Sequence, residues 1–116
     1  MSNYSRIYHH IATVFPKASI HVVDGDNLIK HPVIEMKKLE KYLGLKNFYE
    51  RRHFYYTLEN GGELPCFSVP ERRCMGFDKG LDHPPLKRET VKYMKRKLGQ
   101  MVENFGRETG VKINLL

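Results

Sequence analysis

Apolar residues recur at helical spacing near the start of the chain. Residues 4–14 read YSRIYHHIATV, and Ile7, Ile11 and Val14 fall on one face of a helix drawn through them. Pro16 ends that helix, because proline lacks a backbone N–H and its ring clashes with the preceding turn. The pattern predicts an amphipathic helix over residues 4–14.

A short continuous apolar run follows and stops abruptly. Ser19–Val23 is mostly apolar and leads into Asp24-Gly25-Asp26. Such a run, ending at Asp-Gly, is typical of a buried parallel strand in an α/β sheet. The two aspartates either carry a functional group at the strand end or form a tight turn with Asx-type hydrogen bonds. We favour the turn.

A second helix is predicted from Pro32, since proline suits the first turn of a helix. Met36, Leu39 and Leu43 recur at helical spacing and form its expected buried stripe. Gly44 is placed to end the helix in a left-handed conformation.

The middle of the chain is aromatic and contains a glycine pair. Residues 54–58 and 63–67 read as the two arms of a β-hairpin that turns near Gly61-Gly62. Together with the strand and the helices, this hairpin predicts an α/β fold.

A last amphipathic helix is predicted from about Lys87 to Phe105. One face is apolar and the other is basic. The apolar positions are Val91, Met94, Leu98, Met101, Val102 and Phe105, and the basic ones are Lys87, Arg88, Lys92, Lys95, Arg96 and Lys97.

The positive charge of the chain is uneven. The 116 residues carry a formal charge of +7, of which residues 1–68 contribute +2 and residues 69–116 contribute +5. This balance favours anionic partners such as nucleic acid, phosphorylated cofactors or acidic polysaccharide. The Lys87–Lys97 cluster fits phosphates or sulfates as well as it fits a solvated helix face. No apolar run reaches the roughly 18–20 residues that span a bilayer.

The two cysteines leave several chemistries open. Cys66 and Cys74 could bridge in an oxidising compartment and would stay free in the cytosol. A zinc site that adds His53 and His83 is disfavoured, because neither a C-x2-C nor an H-x3-H pair is present. The C-x5-R spacing from Cys66 to Arg72 resembles that of cysteine phosphatases, but Pro70 removes a backbone N–H from the phosphate loop and no glycine lets the chain wrap.

The segment that follows Cys74 carries groups that suit an anion. It reads MGFDKGLDHPP, in which Lys79 offers a point charge, Gly80 lets backbone N–H groups approach and His83 adds a donor. Lys-Gly and His-Pro pairs are common in loops, so this segment alone predicts a phosphate contact only weakly.

The order of these motifs resembles the C-terminal part of the heparan sulfate sulfotransferases. The likeness is strongest to the glucosaminyl 3-O-sulfotransferases, with the N-deacetylase/N-sulfotransferases near by. It rests on IHVVDGDNLIKHP (20–32), on HFYYTLENGGELPCF (53–67), on the position of Cys74 and on KGLDHP (79–84). It covers nearly the whole chain, from about Tyr4 to Leu116.

The resemblance implies specific roles. Cys66 and Cys74 correspond to the family disulfide, and the 79–84 stretch resembles a loop that closes over 3′-phosphoadenosine 5′-phosphosulfate. Two positions depart from the family pattern, because Leu81 replaces an arginine of that loop and His31 replaces an acidic residue before the proline. The expected cofactor contacts are Lys79, Gly80, Leu81, Asp82 and His83.

The resemblance also implies an architecture and a function. Residues 1–116 would be the C-terminal portion of a sulfotransferase domain with a partial three-layer, P-loop-like nucleotide-binding fold, and the phosphosulfate loop and catalytic base would precede it. The expected partner is heparan sulfate or a related anionic glycosaminoglycan, contacted by Arg88 and Lys92, with no nucleic acid and no metal. The expected location is the lumenal side of the Golgi membrane, through an anchor outside this chain. The alternative is a non-enzymatic basic module that binds heparin or nucleic acid.

Overall fold

The computed structural model describes residues 3–58, 62–74 and 84–113. The chain divides into two compact units, of which the first combines Met1–Val22 with Pro84–Leu116 and the second is Val23–His83. The helices are α1 (Tyr4–Val14), α2 (Gly25–Lys30), α3 (Pro32–Leu43) and α4 (Arg88–Thr109), and the strands are β1 (Phe54–Tyr55) and β2 (Cys66–Phe67). In these ranges, no helix is long and apolar enough to cross a membrane.

Helix α1 of the first unit forms where the sequence predicts it. The side chain of Asn3 caps its first turn by accepting a hydrogen bond from the Arg6 backbone N–H. The face that carries Ile7 and Ile11 nevertheless remains exposed, and Tyr8 is the buried residue of the helix. Aromatic packing against α4 selects this other face, which the spacing of the aliphatic residues does not indicate.

Helix α4 is confirmed and extends one turn beyond the predicted end. Gly110 adopts a left-handed conformation, with φ of 73°, immediately after the last helical residue, Thr109. Phe105 is buried and Val91 and Leu98 are half-buried, so the predicted apolar face points inward. Met101 is the exception, with 41% of its surface exposed.

The predicted strand at Ser19–Val23 is wrong. Lys17–Ser19 forms a 3-10 turn, and residues 20–24 are in no strand. A strand requires a hydrogen-bonded neighbour, and the only sheet within the described ranges is the β1–β2 pair. Length and apolar content alone cannot identify such a partner.

Asp24 forms the predicted Asx-type hydrogen bond, but its segment opens a helix and not a tight turn. Its side chain accepts a 3.1 Å hydrogen bond from the Asn27 backbone N–H and so caps the short helix α2, which the sequence pattern did not predict.

Helix α3 has the predicted ends and part of the predicted buried stripe, since Met36 and Leu39 are half-buried. Pro32 opens it and Gly44 closes it with φ of 67°. Leu43 is 55% exposed, whereas Glu35 and Glu40 are 2% and 4% exposed. Both carboxylates accept hydrogen bonds from other segments, which offset part of the hydration lost on burial.

The hairpin is confirmed with shorter arms. β1 and β2 pair antiparallel with Phe54 opposite Phe67 and Tyr55 opposite Cys66. Helices with this small sheet are compatible with an α/β class. The partial three-layer nucleotide-binding arrangement stays a prediction.

Candidate functional site

A disulfide fixes the segment next to the predicted cofactor loop. Cys66 and Cys74 are bonded, with an S–S distance of 2.15 Å and a Cα–Cα distance of 4.3 Å, which confirms the pairing implied by the family resemblance. Phe67 and Arg73 exchange backbone hydrogen bonds of 2.8 and 2.9 Å inside the closed loop. Because both sulfurs are in the disulfide, neither is a thiolate nucleophile or a zinc ligand in this state.

His53 has a local structural role. Its Nδ1 atom accepts a 3.0 Å hydrogen bond from the Glu50 backbone N–H, and its ring stacks on Phe48 at 5.2 Å between centroids. These contacts hold the 3-10 turn Arg51–His53 against the aromatic segment before it.

Two arginines of the disulfide loop have partners that the sequence did not indicate. The Arg72 guanidinium lies 4.4 Å from the centroid of the Tyr55 ring, a cation–π contact. Arg73 pairs with Glu71 at 2.6 Å. The sequence indicates Arg72 only through a phosphatase-like spacing, because the contact with Tyr55 joins residues 17 positions apart.

The predicted cofactor contacts lie outside the described residues. Lys79, Gly80, Leu81, Asp82 and His83 fall between Cys74 and Pro84, the residues at which the described ranges end and resume.

A basic stripe runs along the solvent side of α4. We define it as Arg88, Lys92, Lys95 and Arg96. The last three follow Arg88 by four, seven and eight residues and therefore share one helix face with it. All four residues are exposed, and none of them forms an ion pair with another described residue. The stripe extends about 12 Å at 1.5 Å per residue.

The stripe includes only part of the predicted basic face. Lys87 precedes the first turn of α4, and Lys97 lies on the far side of the helix by its spacing from Arg88. Tyr93 lies between Arg96 and Lys97, 5.8 Å from each cation, and is half-exposed. The stripe contains Arg88 and Lys92, the two predicted polysaccharide contacts.

Unpaired cations on one helix face attract a polyanion with little geometric selectivity. Their interaction with phosphate or sulfate weakens as salt screens it, over a Debye length of about 8–10 Å at physiological ionic strength. The stripe can hold an extended anionic chain, but its geometry does not select the chemical identity of that chain.

Comparison with known proteins shows which family this chain is related to. No family model matches the chain. Over 96 residues, it is 31% identical to human heparan sulfate glucosamine 3-O-sulfotransferase 3B1, a match that covers 79% of this chain and 24% of the relative. The chain is a homologue of the heparan sulfate sulfotransferases.

Two further heparan sulfate sulfotransferase relatives are more distant. Human heparan sulfate glucosamine 3-O-sulfotransferase 5 is 28% identical over 100 residues, which cover 86% of this chain and 29% of the relative. The bifunctional heparan sulfate N-deacetylase/N-sulfotransferase of Drosophila melanogaster is 23% identical over 94 residues. These residues cover 80% of this chain and 9% of the relative. The chain therefore spans less than a third of the length of each of these relatives.

Proposed function

We propose that this chain is part of a sulfotransferase that moves a sulfuryl group from 3′-phosphoadenosine 5′-phosphosulfate to a glucosamine of heparan sulfate. The observation that carries the proposal is the match of 79% of the chain to a heparan sulfate 3-O-sulfotransferase. The disulfide in the hairpin and the exposed basic stripe support it.

The proposed reaction breaks the bond between sulfur and its bridging oxygen and forms a bond between sulfur and the acceptor atom of the glucosamine. A base removes the proton of the acceptor group, that group attacks the sulfur, and cations stabilise the bridging oxygen that leaves with the bisphosphate nucleotide. We assign no catalytic base to this chain. The residues that would contact the nucleotide are Lys79 to His83, of which Lys79 supplies the main charge and Leu81 supplies none.

The basic stripe of α4 is the proposed contact surface for the saccharide. Its four cations are exposed and have no ion-pair partner among the described residues, so binding a sulfated chain would break no ion pair that the structure describes. Sulfate and carboxylate groups of a glycosaminoglycan carry the complementary charge.

The lumenal side of the Golgi membrane is the proposed location. Disulfides persist in the oxidising compartments of the secretory pathway and are rare in the cytosol. The bond between Cys66 and Cys74 is therefore consistent with lumenal exposure.

A non-enzymatic basic module that binds heparin or nucleic acid is the rival function. Titration with the bisphosphate product of the cofactor and, separately, with heparin distinguishes the two, in a protein that joins these 116 residues to the phosphosulfate loop expected to precede them. We expect saturable binding of the nucleotide, with adenosine as the matched control that lacks both phosphates. Heparin binding with steep salt dependence and no response to the bisphosphate would favour the rival.

A further inference from the structure

A pocket in the second unit lies apart in sequence from the basic stripe of α4. It has a volume of about 500 Å³ and forms where the end of α2, the first turn of α3 and the start of β1 meet. Lys30, His31 and Arg51 supply its polar wall, and Phe54 and Tyr56 supply its aromatic wall. We call it the basic pocket.

The aromatic wall is held in place from outside the pocket. The Tyr56 hydroxyl donates a hydrogen bond to the Ile29 carbonyl near the end of α2. The Phe54 ring lies 5.8 Å from the rings of both Tyr49 and Phe67. Because these contacts fix the two rings in advance, a ligand would not have to order them.

The charge of the basic pocket has one sign. Lys30 and Arg51 are cationic, His31 adds a further nitrogen donor, and none of the described residues that line the pocket is acidic. Among the residues that the structure describes, neither Lys30 nor Arg51 forms an ion pair. The neighbouring Arg52 instead pairs with Glu50 at 2.7 Å. Two such cations beside the apolar lining residues Pro32, Val33 and Ile34 favour an anionic ligand.

The size and lining of the pocket favour a ligand larger than a single oxyanion. Its volume is within the roughly 300–1,000 Å³ of small-molecule sites, which combine mainly apolar walls with a few polar groups. Guanidinium and ammonium groups bind oxyanions such as sulfate. Aromatic side chains pack against the C–H groups of a sugar ring, whose hydroxyls project outward. A sulfated sugar unit combines both features.

We propose that the basic pocket binds a sulfated sugar of the glycosaminoglycan chain, at a position other than the sugar that accepts the sulfuryl group. The inference rests on the proposed function, because it takes the saccharide as the partner. It adds a second contact region, remote in sequence from the α4 stripe, that would recognise the sulfation pattern of the chain.

A paired-variant experiment on the 116-residue protein tests this site. The probe is a fully sulfated heparin tetrasaccharide, and its affinity is measured calorimetrically. Lys30→Gln with Arg51→Gln should weaken binding about tenfold or more. The matched control, Lys41→Gln with Arg52→Gln, removes the same charge from exposed positions outside the pocket lining and should bind nearly as the parent does.

A second measurement does not depend on the folding of variants. In the unaltered protein, the tetrasaccharide should shift the backbone amide resonances of residues 30–34 and 51–56. A chemically desulfated tetrasaccharide should leave them in place. Inorganic phosphate that shifts them as strongly as the sulfated tetrasaccharide would overturn the saccharide assignment and leave only an anion site.

The remaining outcomes separate this inference from the proposed function. The pocket would be overturned if the pocket variant and the control variant lost equal affinity for the tetrasaccharide, or if the resonance shifts were confined to α4. Either result would leave the sulfotransferase proposal standing. A protein that binds the bisphosphate nucleotide but no tetrasaccharide would overturn the pocket as well. Binding of the tetrasaccharide through the pocket would support the pocket. If a protein that joins this chain to the phosphosulfate loop expected to precede it then ignores the nucleotide, that result would contradict the sulfotransferase proposal alone.

Discussion

The side-chain amide of Asn27 donates a 2.6 Å hydrogen bond to the buried carboxylate of Glu35 and thereby joins α2 to α3. The same carboxylate accepts hydrogen bonds from Lys38 at 2.6 Å and from the Asp24 backbone N–H at 3.4 Å. The junction between these helices includes Lys30 and His31 of the basic pocket. Glu35 is therefore a structural support for that pocket.

Acid should weaken the fold through Glu35. Burial raises the pKa of its carboxyl, but the hydrogen bonds from Lys38 and Asn27 outweigh burial and hold the pKa below its ordinary value of 4.5. A lowered pKa in the folded state stabilises the protein above pH 4.5 and loses that contribution as the pH falls through the folded-state pKa. Urea unfolding across this range should show the free energy of unfolding falling with pH.

The control for this prediction is Glu35→Gln, which cannot titrate. Its free energy of unfolding should be lower than that of the parent at neutral pH and should change less as the pH falls. Part of the slope should remain, because a hydrogen bond from His9 lowers the pKa of Glu108 in the other unit. Identical pH profiles for the parent and Glu35→Gln would show that the carboxylate has no such role.

The buried glutamates show what the sequence could and could not predict. The ends of α3 follow from Pro32 and Gly44, whose conformational preferences are local. The burial of Glu35 and Glu40 depends on donors from other segments, such as the Phe48 and Tyr49 backbone N–H groups that both bond Glu40 at 2.9 Å. Helical periodicity cannot indicate those donors.

The candidate functional residues also include some that the sequence indicates and some that it does not. The disulfide partners could be named from motif order, and the proposed polysaccharide contacts Arg88 and Lys92 from charge. The basic pocket could not, because Lys30 and Arg51 are 21 positions apart and meet only through the packing of α2, α3 and β1.

Truncation of Phe105 should destabilise the first unit. Its buried ring meets Tyr8 edge to face, with 6.2 Å between the centroids, and Tyr4 at 5.8 Å. Phe105→Ala removes the residue that joins α4 to α1 and should cost about 3–5 kcal/mol in urea unfolding. Met101→Ala on the same helix, at a position 41% exposed, should cost far less. Equal costs for the two variants would argue against this packing.

Removal of the disulfide should lower stability without abolishing the hairpin pairing. Cys66→Ala with Cys74→Ala opens a short loop and should cost roughly 2–3 kcal/mol by the loop-entropy relation. Thermal unfolding with and without reductant provides the check, since reductant should lower the midpoint of the parent and leave the double variant unchanged. A parent midpoint that reductant does not move would contradict the bond.

Neutralising the basic stripe should weaken heparin binding. Arg88→Gln with Lys92→Gln removes two of its four cations and should lower the affinity about tenfold, at about 0.7 kcal/mol for each surface cation. Affinity measured over a range of salt concentrations should also fall less steeply for this variant. The matched pair Lys37→Gln with Lys41→Gln on α3 removes equal charge, and an equal loss there would show that net charge alone determines binding.

The central claim, that this chain takes part in sulfuryl transfer, is tested most directly by calorimetric titration with the bisphosphate nucleotide. The titrated protein joins residues 1–116 to the phosphosulfate-binding half expected to precede them, and two variants of it are compared with this parent. Lys79 supplies the main proposed charge, so Lys79→Ala should weaken binding about tenfold or more, as loss of a charge-assisted hydrogen bond does. Leu81→Arg adds a cation at the position where the family resemblance places one and should tighten binding. Contradiction would come from a parent protein that binds no nucleotide, or from nucleotide binding that neither variant changes but Arg88→Ala or Lys92→Ala abolishes.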